Sequence, residues 1–248
     1  MLIILSPSKT MDMNDSTHTN NVHYNEKTSL LIKKLKTFSP EDLSNLMKIK
    51  GKTLNSVVDI YKNFDSAPYK KSIEAYSGFV FKEIKVEDYS EKERKYLDNH
   101  FLILSALYGA LTPDSYIKEY RLDMTIKVFS NENPYQYWKV EVNNSLTDLM
   151  KSKEENLLIN LASNEFSKII DRKTFPYDII DIDFKEEKDG KFKSVSTYAK
   201  KARGLMSNFI IVNQIKKSDN LKNFNDEGYL YNNELSSEKK YVFTRLGR

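Results

Sequence analysis

The most informative absence in this 248-residue sequence is cysteine, of which there is none. A chain without thiols has no disulfide, no thiolate zinc or iron–sulfur site and no thiol-based peroxide chemistry. The lack of cysteine also fits a reducing compartment. Glycine and proline are scarce as well, with seven and six residues, which argues against long flexible linkers.

Long apolar runs are also missing. No run approaches the ~20 residues that a membrane-spanning helix needs, so we expect no membrane segment. The first apolar run, residues 2–5, has no basic region before it and is too short for a signal peptide. The mean hydropathy of −0.60 predicts a soluble globular protein. Because no repeat or low-complexity tract interrupts the sequence, we expect residues 1–248 to form one domain.

Charge of one sign does not dominate either. The chain has 39 Lys and Arg residues and 35 Asp and Glu residues, which leaves a net charge of +4. A small net charge does not by itself indicate nucleic-acid binding, although it is compatible with a local basic patch. The placement of charges within particular segments is therefore more informative than their total.

Three continuous apolar runs predict strands that are buried on both faces of a sheet. These runs are residues 2–5, 101–104 and 157–159. A small polar loop follows each run at once, and in open α/β sheets ligands bind at the carboxyl ends of the strands. The candidate site segments are therefore residues 6–10, 105–109 and 160–165.

The segments between and after these runs predict the rest of the fold. Apolar residues recur at helical spacing between the runs, and a helix is also predicted over residues 197–215. Alternating segments flank an Asp-Gly turn at 189–190, which is typical of a hairpin. Because strands come both as α/β units and as a hairpin, the sequence predicts a mixed α/β fold with a central mixed sheet surrounded by helices.

The densest cationic segment lies in the predicted helix 197–215. Lys200, Arg203 and Gly204 share one helix face, and Lys201 lies about 100° away. Glycine costs a helix about 1 kcal/mol relative to alanine, so we expect a phosphate or another backbone to approach Gly204 closely. The cluster favours an anion site, and the alternative is a solvated basic face.

The loop after the second strand supplies two further candidates. Tyr108 follows the strand directly, and Arg121 lies a short distance beyond. Arg121 is a candidate clamp for a phosphate or a carboxylate. The alternative is that Arg121 pairs with Asp114 or Asp123 and only holds the loop.

The loops after the third and first strands supply the others. Ser163 has the chemistry of an N-cap, so the amides of Asn164 and Glu165 would open a helix towards the crevice. Glu165 is either a general base or, more commonly, a carboxylate that complements a helix dipole. Lys9 resembles a phosphate-loop lysine only superficially, because the glycine-rich stretch of that loop is absent.

Two short predicted helices at about residues 39–61 are joined by a tight turn at Gly51. This pattern is typical of a helix-hairpin-helix, whose turn presents backbone amides to DNA phosphates without reading the bases. The residues Lys48, Lys50 and Lys52 surround the turn. The alternative is an ordinary αα-hairpin.

Signals for metal binding and nucleophilic catalysis are weak. The histidines at 18, 23 and 100 are not spaced with carboxylates as in a metal site, and no nucleophile motif is present. Asp181 and Asp183 would share one strand face, where we favour solvent exposure over iron binding. We therefore expect no metal and no cofactor.

These segments together resemble the YaaA family of peroxide stress response proteins over essentially the whole chain. The matching stretches are residues 5–10 (LSPSKT), 104–113 (LSALYGALTP), 120–124 (YRLDM), 160–166 (NLASNEF), 198–206 (YAKKARGLM), 224–229 (FNDEGY) and 242–245 (VFTR). Three positions depart from the family pattern. They are Ser8 where Ala is usual, Asp123 where Glu is usual and Phe166 where Tyr is frequent.

The resemblance implies a cytoplasmic bacterial protein that protects cells from hydrogen peroxide by lowering the available iron. It also implies a family-specific fold with a helix-hairpin-helix, a positively charged cleft and binding to double-stranded DNA. No family-wide reaction comes with it, so the question of enzymatic activity stays open. The cationic residues that this cleft would gather are Lys9, Arg121, Lys200, Lys201 and Arg203.

Two functional hypotheses follow. In the leading one, cleft cations and hairpin amides contact the DNA backbone without sequence readout. The alternative is an enzyme that acts on a small anionic or nucleotide-like substrate in the same cleft. A deep pocket favours the small substrate, and a long open groove favours DNA. The DNA- or anion-binding candidates are Lys9, Lys50, Lys52, Tyr108, Arg121, Ser163, Asn164, Glu165, Lys200, Lys201 and Arg203.

Overall fold

The computed structural model describes residues 1–18, 24–130 and 132–247. The α-helices are α1 (Glu26–Leu35), α2 (Pro40–Met47), α3 (Gly51–Lys62), α4 (Ser72–Ala75), α5 (Phe79–Glu83), α6 (Glu91–His100), α7 (Pro134–Ser152), α8 (Asn164–Ser167) and α9 (Ser196–Val212). The strands are β1 (Leu2–Leu5), β2 (Lys70–Lys71), β3 (Phe101–Ser105), β4 (Gly109–Leu111), β5 (Tyr116–Ile117), β6 (Leu157–Asn160), β7 (Asp178–Lys188), β8 (Lys191–Lys193), β9 (Leu230–Tyr231) and β10 (Lys240–Leu246). Short 3₁₀ turns lie at Val86–Asp88, Ser218–Asn223 and Asp226–Gly228.

One mixed sheet forms the centre of the molecule. Over the described ranges it contains eight strands in the order β4-β3-β1-β6-β7-β10-β9, with β8 added to the carboxyl end of β7. The five strands β3, β1, β6, β7 and β10 run parallel to one another, and β4, β8 and β9 are antiparallel to their neighbours. The predicted mixed α/β fold with a central mixed sheet is confirmed.

The three apolar runs form strands, as predicted, and these strands are neighbours in the sheet. β1 lies between β3 and β6, and every residue of β1 and β3 is buried. From β1 the chain first reaches β3 on one side and later returns to β6 on the other. A topological switch point therefore lies at the carboxyl end of β1, where open α/β sheets bind their ligands.

The predicted Asp-Gly hairpin is also present. β7 pairs antiparallel with β8, and the turn residues Asp189 and Gly190 have φ angles of 53° and 69°. Two successive left-handed residues match the twist of the flanking strands, which is why Asp-Gly favours this turn.

Residues 39–61 contain α2, α3 and the short turn between them. Ser39 caps α2 through the Asp42 amide, and Lys48 ends the helix in a left-handed conformation with φ of 53°. Gly51, with φ of 57°, begins α3. Because two helices and a turn also make an ordinary αα-hairpin, the assignment as a DNA-binding helix-hairpin-helix stays a prediction.

None of the helices in the described ranges combines the length and apolar character needed to cross a membrane. The organisation of residues 1–248 as one domain stays a prediction.

Helices α5 and α9 lie in direct contact, and Gly204 makes this contact possible. A Cβ atom at position 204 would lie 2.3 Å from the Val80 carbonyl oxygen and 2.8 Å from Cβ of Glu83. We expected either a phosphate or another backbone to approach this glycine, and the structure shows the backbone of α5 there. The close approach determines where the cationic face of α9 lies.

Substitution Gly204→Ala tests this contact. Alanine improves helix propensity by about 1 kcal/mol, but the overlap with the Val80 carbonyl should outweigh that gain. We expect a net destabilisation of about 2 kcal/mol, because overpacking a tight contact forces backbone shifts. Urea unfolding provides the measurement, with Val212→Ala at an exposed position of α9 as the control. A free energy of unfolding equal to that of the control would contradict the close contact.

Candidate functional site

A cavity of about 280 Å³ lies at the switch point. The loops after β1 and β6, the segment around α5, residues 120–123 and the face of α9 with Lys200 and Arg203 surround it. Of the three loops expected to form the site, those after β1 and β6 line this cavity, and residues 105–109 do not.

Two serines join the loops after β1 and β6. The Ser163 amide donates to Ser6 Oγ at 2.8 Å, and the Ser6 hydroxyl donates to Ser163 Oγ at 3.1 Å. Ser163 occupies the N-cap position of α8, but its side chain makes no capping hydrogen bond in the described structure. Its hydroxyl instead helps to fix the base of the cavity.

Cationic side chains outnumber acidic ones around the cavity. Its lining includes the cations Lys9, Arg121, Lys200 and Arg203 and the carboxylates Asp123 and Glu165. Lys9 donates to Asp123 Oδ2 at 2.7 Å, so one cation and one carboxylate neutralise each other. The remaining lining carries more positive than negative charge, which favours an anionic ligand.

Arg203 is the most unusual of these cations. Its Nε atom is buried and has no hydrogen-bond partner among the described residues. Burial lowers the pKa of the Arg203 guanidinium, and the negative charge of Asp183 opposes this shift. Because an arginine side chain remains charged in proteins, the site contains a poorly solvated cation.

Arg121 lies in the cavity lining without either of the aspartate partners that the sequence suggested. Within residues 1–18, 24–130 and 132–247 it forms no ion pair, and Asp123 pairs with Lys9 instead. The Tyr61 hydroxyl donates to the Arg121 carbonyl oxygen at 2.6 Å and so fixes the backbone at this position. In the described parts of the chain the Arg121 guanidinium itself has no hydrogen-bond partner.

Tyr120 forms part of the cavity wall and belongs to a buried hydrogen-bond chain. Its hydroxyl lies 2.8 Å from the Tyr76 hydroxyl and 2.8 Å from Ser105 Oγ. Ser105 Oγ also accepts from the amides of Leu107 and Tyr108. Burial raises the pKa of Tyr120 to about 12, so the phenol stays protonated and keeps its hydrogen bonds at neutral pH.

Aromatic side chains line the apolar part of the cavity. Phe81 and Phe166 are buried, whereas Phe79 is 52% exposed although it lies in the lining. Phe79 is the first residue of α5, and residues 79–81 of this helix line the cavity. The cavity thus combines cations with an accessible aromatic surface.

Several predicted site residues lie elsewhere. Tyr108 is buried behind Tyr120, with the two rings at 89° and 5.3 Å between centroids, and its hydroxyl bonds to the backbone of Lys118. Asn164 is exposed, as are Lys50 and Lys52 at the α2–α3 turn. None of these four side chains lies in the lining of this cavity.

Lys201, which was expected among the cations of the cleft, does not line this cavity. Its ammonium group pairs with the Glu227 carboxylate and lies 3.9 Å from Glu83 Oε1. Glu227 also accepts from Arg245, which pairs in turn with the buried Glu186. Lys201 therefore joins an ion network that ties α9 to its neighbours.

The described residues contain no group of three or more His, Asp or Glu side chains that could hold a metal ion. The two aspartates considered for iron are engaged in the protein. Asp181 accepts a bidentate pair from Arg172 at 2.9 and 2.6 Å, and Asp183 pairs with Lys240 at 3.0 Å. Of the histidines, His23 lies outside the described residues.

Sequence reasoning missed the α5 wall and the tyrosine chain. A Cβ at Gly78 would lie 2.3 Å from Ser8 Oγ, so the loop before α5 packs directly on the loop after β1. The only sequence signal for this packing was a glycine next to aromatic residues in a glycine-poor chain. The tyrosine chain gave no signal, because its members are far apart in sequence.

Fold and site together define a mixed α/β protein with a cation-rich cavity at the switch point of its sheet. The model of the family described as peroxide stress protein YaaA matches residues 1–235. A UPF0246 protein of Fusobacterium nucleatum subsp. nucleatum is 42% identical over 250 residues, which cover 99% of each chain. UPF0246 proteins of Crocosphaera subtropica and Francisella philomiragia are each 36% identical, over 99% of this chain and 100% of theirs. The chain therefore belongs to the YaaA family of peroxide stress proteins.

Substitution Tyr120→Phe tests the buried hydrogen-bond chain behind the cavity. Removing the hydroxyl leaves the buried Tyr76 hydroxyl without its partner, while Ser105 keeps only its two amide donors. We therefore expect a loss of about 1–3 kcal/mol in the free energy of unfolding. Tyr116→Phe removes a hydroxyl from a side chain that is 40% exposed and serves as the control. Thermal or urea unfolding measures the stability of both variants. Equal stability of Tyr120→Phe and Tyr116→Phe would refute the structural role of the buried hydrogen-bond chain.

Proposed function

We propose that this protein acts in the cytoplasmic response to hydrogen peroxide by binding a small anionic ligand in the cavity at the switch point. The observation that carries the proposal is Arg203, whose Nε is buried without a partner among the described residues. A buried donor without a partner is costly, and an anion that accepts from it would remove that cost.

The other side chains around the cavity support the same ligand class. Lys200 and Arg121 form no ion pair in the described parts of the chain, although both line the cavity. Guanidinium groups suit phosphates and carboxylates because they donate in a planar fork. Together with Arg203, these groups provide the donors that a phosphate-sized anion requires.

The size of the cavity favours a small molecule over a duplex. About 280 Å³ is close to the lower end of the range for small-molecule sites, which is roughly 300–1,000 Å³. Duplex binding instead needs an extended surface that follows several phosphates. The ligand is accordingly proposed to be small, and an enzyme substrate of this class would occupy the same site.

The lowering of available iron that the family resemblance implies enters this proposal as an indirect effect. Asp181 and Asp183, the carboxylates considered for direct binding, already accept from Arg172 and Lys240. We propose that iron availability changes downstream of ligand binding in the cavity.

Isothermal titration with inorganic phosphate tests the anion site. We expect the double variant Lys200→Ala, Arg203→Ala to bind at least tenfold more weakly, because each charge-assisted hydrogen bond contributes about 1.5–3 kcal/mol. Lys216→Ala, which removes an exposed cation outside the cavity, should bind like the parent protein. Equal affinity of the double variant and the control would refute the site.

The same variants connect the cavity with the stress response. A strain that lacks this gene should regain survival in hydrogen peroxide with the parent protein and with Lys216→Ala. It should not regain survival with the double variant, provided that all three proteins accumulate to equal levels. Full rescue by the double variant would show that Lys200 and Arg203 are not needed for protection from peroxide, and would contradict the proposal.

We propose binding of double-stranded DNA as a second function, located on the α2–α3 turn. Lys48, Lys50 and Lys52 are all exposed around this turn. Lys50 also makes no side-chain hydrogen bond to the first amides of α3 within the described structure, so these amides can donate to phosphates. Such contacts are made to the DNA backbone and do not read the base sequence.

The salt dependence of DNA affinity distinguishes the turn from the cavity. The logarithm of the association constant should fall with the logarithm of salt concentration by about 0.9 per phosphate neutralised. Replacing Lys48, Lys50 and Lys52 by Ala should flatten this slope by about 2–3 and weaken binding equally for unrelated sequences. An unchanged slope in this variant would exclude the turn. A flattened slope in the Lys200→Ala, Arg203→Ala variant would instead place DNA at the cavity.

A further inference from the structure

The two carboxylates that line the cavity differ in their partners: one forms an ion pair and the other does not. Asp123 pairs with Lys9 at 2.7 Å. Glu165 lines the same cavity, yet its carboxylate forms no ion pair or hydrogen bond among the described residues. The hydrogen bond at this residue goes from the Tyr135 hydroxyl to the Glu165 backbone carbonyl, which fixes the backbone and leaves the side chain available.

An unpaired carboxylate opposes the binding of a simple anion. Two negative charges a few ångströms apart repel each other, more strongly in a partly enclosed site than in water. Glu165 favours binding only if the ligand brings hydrogen-bond donors next to its anionic group. Hydroxyl groups of a sugar are such donors, and carboxylates bind ribose hydroxyls in dinucleotide sites by the same chemistry.

The apolar part of the cavity adds a third requirement. Phe79 lines the cavity but is 52% exposed, so its ring is accessible to a flat ligand. Stacking of a nucleobase on an aromatic side chain is favourable for every base, because each base has a π face. A sugar phosphate or an inorganic anion would leave this ring uncovered.

Resting on the function proposed above, we infer that the cavity takes a nucleoside monophosphate. Lys200 and Arg203 bind its phosphate, Glu165 accepts hydrogen bonds from its ribose hydroxyls, and Phe79 stacks on its base. In this arrangement Glu165 is the residue that determines specificity, since it admits a hydroxylated phosphate ester and disfavours free phosphate.

Three probes measured by isothermal titration separate these contributions. They are inorganic phosphate, adenosine 5′-monophosphate and its 2′,3′-dideoxy analogue. The parent protein should bind adenosine monophosphate at least tenfold more tightly than either of the others, because one good hydrogen bond to a charged group contributes about 1.5–3 kcal/mol.

Substitution Glu165→Gln should then change the affinities in opposite directions. Adenosine monophosphate should bind about tenfold more weakly, because amide–hydroxyl hydrogen bonds are weaker than those to a carboxylate. Inorganic phosphate should bind about threefold more tightly, because a like charge is gone. The dideoxy analogue should not lose affinity, since it has no ribose hydroxyl to donate.

Two further variants make the result specific. Asp123→Asn removes the other carboxylate and frees Lys9, so it should strengthen phosphate and adenosine monophosphate alike. Phe79→Ala, at an exposed position, should weaken adenosine monophosphate about tenfold and leave phosphate unchanged, in line with the energy of base stacking.

The possible failures are distinguishable. Binding of phosphate with adenosine monophosphate no tighter would overturn the nucleotide assignment and leave the anion site standing. An equal effect of Glu165→Gln on adenosine monophosphate and on its dideoxy analogue would overturn the role of Glu165. Binding of neither phosphate nor nucleotide to the parent protein would overturn both this inference and the proposed function.

Discussion

The close contact between α5 and α9 at Gly204 is the constraint on which the site depends. Any side chain there would meet the Val80 carbonyl, so only glycine allows the two helices to lie this close. One helix brings Lys200 and Arg203 to the cavity, and the other brings Phe79. The cations and the aromatic surface therefore face one space because a single residue has no side chain.

Ion pairing differs between the sheet and the cavity. Several cations on the sheet and beside it have acidic partners, as in the pairs Arg245–Glu186 and Arg172–Asp181. These pairs hold elements together, and breaking a buried one leaves an uncompensated charge. The lining of the cavity differs, since Arg203 is half-buried and has an orphaned Nε while Glu165 has no ionic partner in the described structure. The lining of the cavity therefore contains charges of both signs that the described residues leave unpaired.

The sequence predicted the sheet well because its strands are marked by local patterns. The runs 2–5, 101–104 and 157–159 are continuous and short, and each lies within a strand of the structure. Helical periodicity correctly placed Lys200 and Arg203 on one face of α9. The expected cleft also included Lys201, which pairs with Glu227 instead. The sequence could not predict α5 as a wall, nor the partner of Lys9, because both depend on contacts between segments that are distant in the chain. Position on a polar loop also failed to predict the place of Asn164, which is exposed and does not line the cavity.

The absence of cysteine limits how this protein can act against peroxide. The family is one of peroxide stress proteins, yet this chain has no thiol that could be oxidised by peroxide. Oxidation of a thiol in this chain is therefore excluded as the means of protection. In the proposed function, recognition of a ligand takes its place as the link between the fold and the stress response. The net charge of +4 is consistent with this view. A specific anion needs a few unpaired cations in one cavity rather than a uniformly basic surface, and a near-neutral chain can provide them without binding every polyanion that it meets.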